Sequence, residues 1–360
     1  MNAFAEFHDE LRSVARDLLG KAGEGPVPWA DVAGAGWAGL AVPEEFDGAG
    51  AGVAEVALLL TEAGRAAART ALPSVLALAV PALLAVGADP VRDGLLREVV
   101  AGRSVPIVVL PGDAAPVPPG ASGLRRDGAG LVGADVAFRL ADGRLSGSAQ
   151  FVLDAPVAEL LLIPALDAAG ESVLAAVEPG AVTRTPVPLV DATRSAGSVT
   201  ADGVRPRGVW RVERPVALGA RAALATACDA LGIAEAMLDA TVAYVKVREQ
   251  FGRPVGSFQA VKHACADMLV RVTVAGHLVA EAVRVLEISA PGAEIACSMA
   301  KSYATEAAVA VAGSAMQLHG GYGYTWESGI HTHLKRATLD RALYGTPAAH
   351  RRTLAARYRS

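Results

Sequence analysis

The chain has 360 residues, of which 52% are hydrophobic and 19% are charged. This composition excludes an extended disordered protein, because it supplies enough apolar side chains for a substantial core. A net charge of −4 argues against nucleic acid as the principal partner. No stretch approaches the ~20 uninterrupted apolar residues of a membrane span, and the acidic first ten residues lack the basic region of a secretory signal.

The cysteines indicate a reducing compartment. Cys228, Cys265 and Cys297 are far apart, odd in number and placed within helical patterns. Buried free thiols in the cytoplasm are the simplest account of that distribution, so we expect a cytoplasmic protein without structural disulfides.

The first part of the chain, residues 1–104, is predicted to be helical. Leu11, Val14 and Leu18 recur at helical spacing. A glycine-rich loop interrupts the helices at 37–50, and further helices are predicted over 53–69, 72–86 and 90–101.

Residues 105–213 have a different pattern. Short apolar runs, such as 105–110 and 159–163, are separated by turn residues that include Asp142-Gly143. Short runs at this spacing favour a middle domain of antiparallel β-strands.

The remainder, residues 214–360, is predicted to be helical again. Apolar residues at helical spacing predict helices over 216–248 and 258–289, and Pro291-Gly292 separates the second from a third helix that ends at Gly320. A short basic helix is predicted over 346–358. We therefore expect a C-terminal four-helix bundle.

A glycine-rich turn follows the third helix of this bundle. Residues 317–326 read Q-L-H-G-G-Y-G-Y-T-W. Gly320 and Gly321 end the helix, because glycine accepts the positive φ needed just beyond a helix end. Bare backbone N–H groups at such a turn can approach a pyrophosphate closely, although the same residues also fit a plain helix cap.

A second stretch joins the first two helices of the bundle. Residues 245–259 read V-K-V-R-E-Q-F-G-R-P-V-G-S-F-Q. Together the two stretches resemble the C-terminal domain of the acyl-CoA dehydrogenase family, in which R-x-x-F-G…Q and Q-x-x-G-G-x-G-[YF] hold one FAD from two subunits. Residues 36–50 resemble the family's G-x-x-x-L-x-V-P-E-E-x-x-G-x-G segment, and 191–194 resemble its D-x-T-R segment.

The resemblance implies an α+β fold with an N-terminal helical domain, a middle antiparallel β domain and a C-terminal four-helix bundle. It also implies FAD as cofactor, an acyl-CoA thioester as substrate, an electron-acceptor flavoprotein as partner and a tetramer. From the residues alone, Arg248 could instead form a surface ion pair with Glu249 or Asp267, and Phe251 could be a core aromatic. The residues that the resemblance assigns to FAD are Arg248, Gln250, Phe251, Gln259, Gln317, Gly320, Gly321 and Thr346.

The site that would hold the flavin ring departs from the family pattern. Residues 109–118 read V-L-P-G-D-A-A-P-V-P where the family has T-E-P-x-x-G-S-D, and Phe151 stands where the family has Trp followed by a hydroxyl residue. The general base is also missing. Residues 343–351 read L-Y-G-T-P-A-A-H-R against the family's Y-E-G-T-x-x-x-x-R, so Tyr344 occupies the position of the Glu.

Neither place where the family keeps its base contains an acid, since 220–224 read A-R-A-A-L. The resemblance therefore favours the base-less subunit of a heteromeric dehydrogenase, of the kind that acts on steroid CoA thioesters in bacteria, with a homologous partner that carries the Glu. A self-sufficient dehydrogenase with a non-standard base and a flavin-free structural homologue are alternatives. His319 is interpreted as structural. His331 and His333 lack a third ligand, so no metal is expected.

Overall fold

The computed structural model describes residues 3–21, 25–112, 137–214 and 216–357. Within these ranges the chain passes from helices, through one large sheet, to a second group of helices. This order confirms the predicted fold class, while the domain boundaries at 104/105 and 213/214 stay predictions. None of the described helices is long and apolar enough to cross a membrane.

The N-terminal region consists of helices around a buried apolar core. The helix predicted over 72–86 is divided, because a π-helical turn at Pro73–Ala79 precedes the α-helix. Pro81 has no N–H to donate to the carbonyl of Ala77, and wider turns accommodate such a missing bond. The α-helices are α1 (Ala3–Lys21), α2 (Trp29–Gly34), α3 (Val53–Arg65), α4 (Val80–Ala85) and α5 (Pro90–Val100).

The middle region is a mainly antiparallel sheet. The predicted turn at Asp142-Gly143 joins β2 to β3, and both residues have positive φ, as a two-residue hairpin of this kind requires. The strands are β1 (Pro106–Val108), β2 (Phe138–Ala141), β3 (Arg144–Leu153), β4 (Leu160–Leu166), β5 (Ser172–Val177), β6 (Thr183–Val187), β7 (Ala196–Val204) and β8 (Gly208–Arg211).

The order across the sheet is β6-β7-β3-β2-β4-β5-β8, with β1 beside β4. Strand β4 pairs in parallel with β1 and β2, which differs from the purely antiparallel expectation. The hairpin reverses the chain between β2 and β3, and the chain reverses again before β4. Because β4 lies beside β2 rather than β3, the two strands run in the same direction.

The C-terminal region has three long helices and two shorter ones. Helices α6 and α8 pack against each other, and α7 packs against α8. Helix α9 was not predicted from the sequence, because its polar residues hide any apolar stripe. The helices are α6 (Leu218–Val247), α7 (Gln259–Glu287), α8 (Ala293–His319), α9 (Ile330–Ala342) and α10 (Pro347–Arg357).

The N-terminal helices dock on the bundle where α3 crosses α6. A Cβ added at Gly64 would meet the backbone of Asp229, and one added at Gly232 would meet the carbonyl oxygen of Thr61. Two backbones this close leave no room for any side chain. The absence of a Cβ at both positions therefore fixes how α3 lies on α6.

We expect Gly232→Ala to lower the free energy of unfolding by about 2 kcal/mol, because overpacking a close helix crossing costs ~1–3 kcal/mol. Gly94→Ala is the matched control, since a Cβ at this helical glycine meets nothing within 4 Å. The control should be neutral or up to about 1 kcal/mol more stable. Urea unfolding of both variants is the measurement, and equal stability of the two variants would contradict the close crossing.

Candidate cofactor groove and base position

Helices α6 and α8 end at the same edge of the bundle, and a groove of about 750 Å³ lies between the segments that follow them. A two-residue turn at Phe251-Gly252 reverses the chain after α6. A 3₁₀ turn at Gly320–Tyr324 follows α8. The groove is lined by Tyr244, Arg248, Gln250, Phe251, Val255, Phe258, Val261, Gln317, Leu318, His319, Gly320, Gly321 and Tyr322.

Six of the eight residues assigned to FAD therefore meet in this groove, and two do not. Gln259 is the exposed first residue of α7 and is not among the lining residues. Thr346 lies at the start of α10, where its hydroxyl accepts a hydrogen bond from the backbone N of Ala349 at 3.3 Å. The six that meet are Arg248, Gln250, Phe251, Gln317, Gly320 and Gly321.

The expectation that the two cofactor stretches of different subunits hold one FAD stays a prediction for this groove. Both stretches line it within one chain. The reason is the packing of α6 against α8, which brings their C-terminal ends together. One chain thus presents the arginine and the glycine pair at the same groove.

Arg248 is the cation at this groove. Among the described residues, no carboxylate oxygen lies within 4 Å of its guanidinium, so the alternative of an ion pair with Glu249 or Asp267 is wrong. Helices α6 and α8 both end here, and C-terminal helix ends carry partial negative charge. An anion in the groove consequently needs a positive side chain, which Arg248 provides.

Phe251 lies at the tip of the hairpin with its side chain 91% exposed, so it is not a core aromatic. Its φ of 55° is unusual for a bulky residue. The ring lies 6.1 Å from the ring of Phe258 in an edge-on arrangement. An exposed aromatic beside a groove offers a flat face on which a ring system can stack.

The sequence analysis missed an aromatic stack that joins the two stretches. The ring of Tyr244 lies 4.3 Å from that of His319 and 5.9 Å from that of Tyr322. The Nδ1 atom of His319 is 2.8 Å from the carbonyl oxygen of Ala315, which agrees with its structural interpretation. Tyr244 could have been found, because it lies four residues before Arg248 and therefore on the same face of α6.

The groove fits the nucleotide end of FAD. A Cβ added at Gly320 or Gly321 meets nothing within 4 Å, so the bare backbone faces open space. The volume also lies in the range of nucleotide-sized pockets. The part of the site that would hold the flavin ring is described only in part. Of the segment 109–118, which departs from the family pattern, residues 113–118 lie outside the described residues.

The base position is buried and enclosed. Tyr344 is 8% exposed, has a φ of 51° and donates its backbone N–H to the carbonyl of Gly112 at 2.6 Å. Burial, followed by the charge of Asp154, raises the pKa of its hydroxyl above the ordinary value, although Arg194 opposes the shift. The described residues leave a cavity of only about 20 Å³ beside it, close to the volume of one water.

Two buried basic side chains hold the turn that carries Tyr344. Lys301 is fully buried and donates to the carbonyl oxygens of Gly345 and, at 3.1 Å, Arg341. Burial lowers its pKa to about 8. The Nε2 atom of His350 lies 3.0 Å from the carbonyl oxygen of Tyr344. These contacts oppose the strain of positive φ at Tyr344.

A buried charged cluster, also missed, lies beside this turn. Arg336 is fully buried and donates two hydrogen bonds to Asp229, at 2.6 and 2.8 Å. Arg194 lies 3.0 Å from Asp229 and 3.6 Å from Asp340. Although burial favours the neutral acid, the two arginines lower the pKa of Asp229.

Asp340 is the acid of this cluster nearest to Tyr344, and it borders the same small cavity. Burial, followed by the charge of Asp229, raises its pKa well above the ordinary value. A general base must reach the substrate proton within hydrogen-bond distance. A cavity of about 20 Å³ gives a thioester no room to reach Asp340.

Comparisons with known proteins agree with this architecture. A family model described as "Acyl-CoA dehydrogenase, N-terminal domain" matches residues 2–103, and one described as "Acyl-CoA dehydrogenase, C-terminal domain" matches residues 220–358. Acyl-CoA dehydrogenase IpdE2 of Mycolicibacterium smegmatis is 31% identical over 98% of this chain and 95% of its own length.

Two solved structures are similar over nearly the whole chain. A variant of the Tcur3481-Tcur3483 steroid ACAD has a TM-score of 0.80 and 28% identity, covering 99% of each chain. The ChsE4-ChsE5 complex from Mycobacterium tuberculosis has a TM-score of 0.82 and 25% identity, covering 98% of this chain and 97% of the other.

Helices, a β middle and a helical C-terminal region with a nucleotide-sized groove define a flavoprotein of dehydrogenase type. The family models and the relative just described make the assignment specific: this chain belongs to the acyl-CoA dehydrogenase family. Members of this family are FAD flavoproteins, and the family supports an oxidoreductase role.

We expect the stability of the chain to fall in acid because of His350. Burial, followed by the charge of Lys301, lowers its pKa to about 4 from an ordinary 6.5, and the hydrogen bond to Tyr344 opposes the shift. Since the unfolded chain takes up this proton first, the stabilisation is complete above pH 6.5 and is lost as the pH falls through 4. The loss amounts to about 3 kcal/mol.

His350→Gln is the matched variant, because its amide can still donate to the carbonyl of Tyr344 but does not titrate. The free energy of unfolding should be measured for both proteins between pH 7.5 and 4. The difference between wild type and variant should shrink as the pH falls. Two parallel profiles would contradict the lowered pKa.

Proposed function

We propose that this chain is the subunit that lacks the general base in a heteromeric acyl-CoA dehydrogenase, which introduces an α,β double bond into an acyl-CoA thioester. The observation that carries the proposal is the buried Tyr344 at the base position beside a cavity of about 20 Å³. A homologous partner subunit supplies the carboxylate, and an electron-acceptor flavoprotein reoxidises the complex. The similarity to the ChsE4-ChsE5 complex supports a heteromer.

A tyrosine with a raised pKa cannot serve as the base near neutral pH. The ordinary pKa of tyrosine is ~10, and burial moves it further up. Removal of an α-proton requires a carboxylate with a pKa near the working pH, held within hydrogen-bond reach of the thioester. Asp229 and Asp154 are committed to buried contacts with Arg194, Arg336 and Ser74, and Asp340 borders a cavity too small for a thioester.

The groove gathers six of the eight residues assigned to FAD, and its distance from Tyr344 supports a shared site. Thr226 borders the cavity beside Tyr344, and Arg248 follows the end of the same helix 22 residues later. At 1.5 Å per residue this is roughly 33 Å along the axis. The ribityl chain between pyrophosphate and flavin ring is much shorter. The ring of a flavin held at Arg248 therefore faces a neighbouring subunit.

FAD, when bound, supplies the acceptor for the hydride that leaves the acyl group. The residues of this chain bind and orient its nucleotide end. The guanidinium of Arg248 can donate hydrogen bonds to the pyrophosphate. Gly320 and Gly321 allow the backbone to approach the nucleotide closely, and the ring of Phe251 offers a face for stacking.

A further feature supports a partner subunit. Helix α7 exposes Leu269, Val270 and Val274, which are 55%, 61% and 37% accessible. Apolar side chains at this spacing form a face that a second helix can cover. We propose a tetramer built through this face. We also propose a cytoplasmic location, in keeping with the three free cysteines.

The test is to purify the chain alone and with a co-expressed homologue that carries the Glu. The chain alone should be colourless, and the complex should be yellow and active. In the complex, Tyr344→Phe should leave turnover of the acyl-CoA within about twofold of wild type, whereas loss of a true base lowers it by roughly 10²–10⁴.

The reciprocal variant tests the isolated chain. Tyr344→Glu restores a carboxylate, but a base helps only when flavin and thioester are already held in reacting geometry. With FAD added, we expect no bleaching of flavin absorbance by an acyl-CoA in this variant. Rapid bleaching, or an active homo-oligomer of the wild-type chain, would contradict the base-less role.

Arg248→Ala should weaken FAD binding to the complex by roughly 10- to 100-fold, the effect of losing a hydrogen bond between charged groups. Lys246→Ala is the matched control, since Lys246 is an exposed cation two residues away that does not line the groove. The control should change the affinity by less than about twofold. Fluorescence titration with FAD measures both, and equal affinities would remove Arg248 from the site.

A further inference from the structure

A second cavity, of about 270 Å³, lies between the N-terminal helices and α6. Its walls are mostly apolar and come from α3, the π-helical turn with α4, and α6. Ala57 and Leu60 belong to the first wall, Ala77 to the second, and Leu224 and Cys228 to the third. At about 30 Å³ for a water-sized group, the space holds on the order of nine such groups.

The apolar lining contains a cation, Arg221. The Nε of Arg221 donates to the carbonyl of Val216 at 3.2 Å. Among the described residues, no carboxylate oxygen lies within 4 Å of its guanidinium. Arg214, which also borders the cavity, donates to the carbonyl of Leu84. The lining is therefore rich in positive charge.

Glu287 is the acid of this lining, but its carboxylate is already engaged. It accepts hydrogen bonds from the backbone N atoms of Val53 and, at 3.3 Å, Ala54 at the N-terminus of α3. A Cβ at Gly52 would collide with this carboxylate, so its approach to the helix depends on a glycine there. Glu287 is thus held by α3 rather than by Arg221.

Arg221 is consequently a half-buried cation with unused donors. Burial lowers its pKa, and the nearby Cys297 and Glu287 act in the opposite direction. An arginine nevertheless stays charged in proteins. An unpaired charge in an apolar cavity is costly unless an anion accompanies it. A ligand with an apolar body and one anionic end would remove this cost.

The cavity also adjoins the base position. Ala225 of α6 borders both this cavity and the small one beside Tyr344. The larger cavity has room for an acyl chain, whereas the small one does not.

We propose that this cavity binds an acyl group that ends in a carboxylate, and that Arg221 selects it by pairing with that carboxylate. The inference rests on the proposed acyl-CoA function and narrows its substrate class. It concerns binding, so it is tested independently of the general base and of turnover.

The experiment is isothermal titration of the full chain, and of its FAD-loaded complex, with adipoyl-CoA and hexanoyl-CoA. These thioesters have the same length and differ by the terminal carboxylate. Wild type should bind adipoyl-CoA roughly 10- to 100-fold more tightly, the effect of one partly buried charged pair. Arg221→Gln should bring the two affinities within about twofold, and Arg205→Gln, an exposed arginine outside the cavity, should leave the preference intact.

Two further arms make the result decisive. Ala57→Leu fills the cavity without touching Arg221, so it should weaken both thioesters. Titration with CoA alone tests whether Arg221 binds a phosphate group of CoA. CoA should bind with equal affinity to wild type and to Arg221→Gln. Any one of three results would overturn the proposal. They are equal affinities of wild type for the two thioesters, failure of wild type to bind either thioester, and loss of CoA binding in Arg221→Gln. The colour and base tests of the heteromer would be unaffected.

Discussion

The buried pair of Arg336 and Asp229 is the contact on which the arrangement of the three regions depends. Arg336 on α9 donates to Asp229 on α6, and also to the carbonyl of Ala68 just beyond α3 at 2.9 Å and to the hydroxyl of Thr193 at 3.0 Å. One side chain thus joins the N-terminal helices, the β region and the bundle. Removing one partner of such a buried pair typically costs ~3–5 kcal/mol, because the other charge remains unpaired.

The contacts of this cluster and of two neighbouring serines explain why, in the proposed base-less subunit, Asp229 and Asp154 do not replace the base. Asp229 is ionised and held by two arginines, while Asp154 accepts hydrogen bonds from Ser74 at 2.6 Å and Ser195 at 3.3 Å. Both carboxylates contribute to the joint between regions. An acid that abstracts a substrate proton has to change its charge during the reaction, and here that change would break the joint.

Local signals made much of the fold and part of the site predictable. The positive φ of Gly320, the hairpin at Asp142-Gly143 and the long helices of the bundle follow from turn chemistry and apolar spacing, and they appear as predicted. The groove residues were found through two motifs. Helix α9 was missed because its buried face carries Arg336 and Asp340. Charged residues are mostly exposed in proteins, so the sequence alone predicts these two to lie at the surface.

What could not be predicted is pairing across long separations. Arg194, Asp229 and Arg336 are distant in sequence, and only the packing of three regions brings them within hydrogen-bond distance. The meeting of the two cofactor stretches in one groove could not be predicted for a related reason. Sequence order does not show that α6 and α8 end side by side, and this packing is what places Arg248 and the Gly320 turn along one groove.

Helix α6 connects the three features that bear on function. Arg221 lies near its start beside the apolar cavity, Asp229 lies in the charged cluster, and Arg248 follows its end at the groove. Arg221 and Arg248 are 27 residues apart, which is roughly 40 Å along the helix axis, so the cavity and the groove are separate sites. In the proposed heteromer, nucleotide binding and acyl selection are therefore separate tasks of this chain. The proposed subunit keeps the groove for a partner's reaction even though Tyr344 borders a cavity of only about 20 Å³.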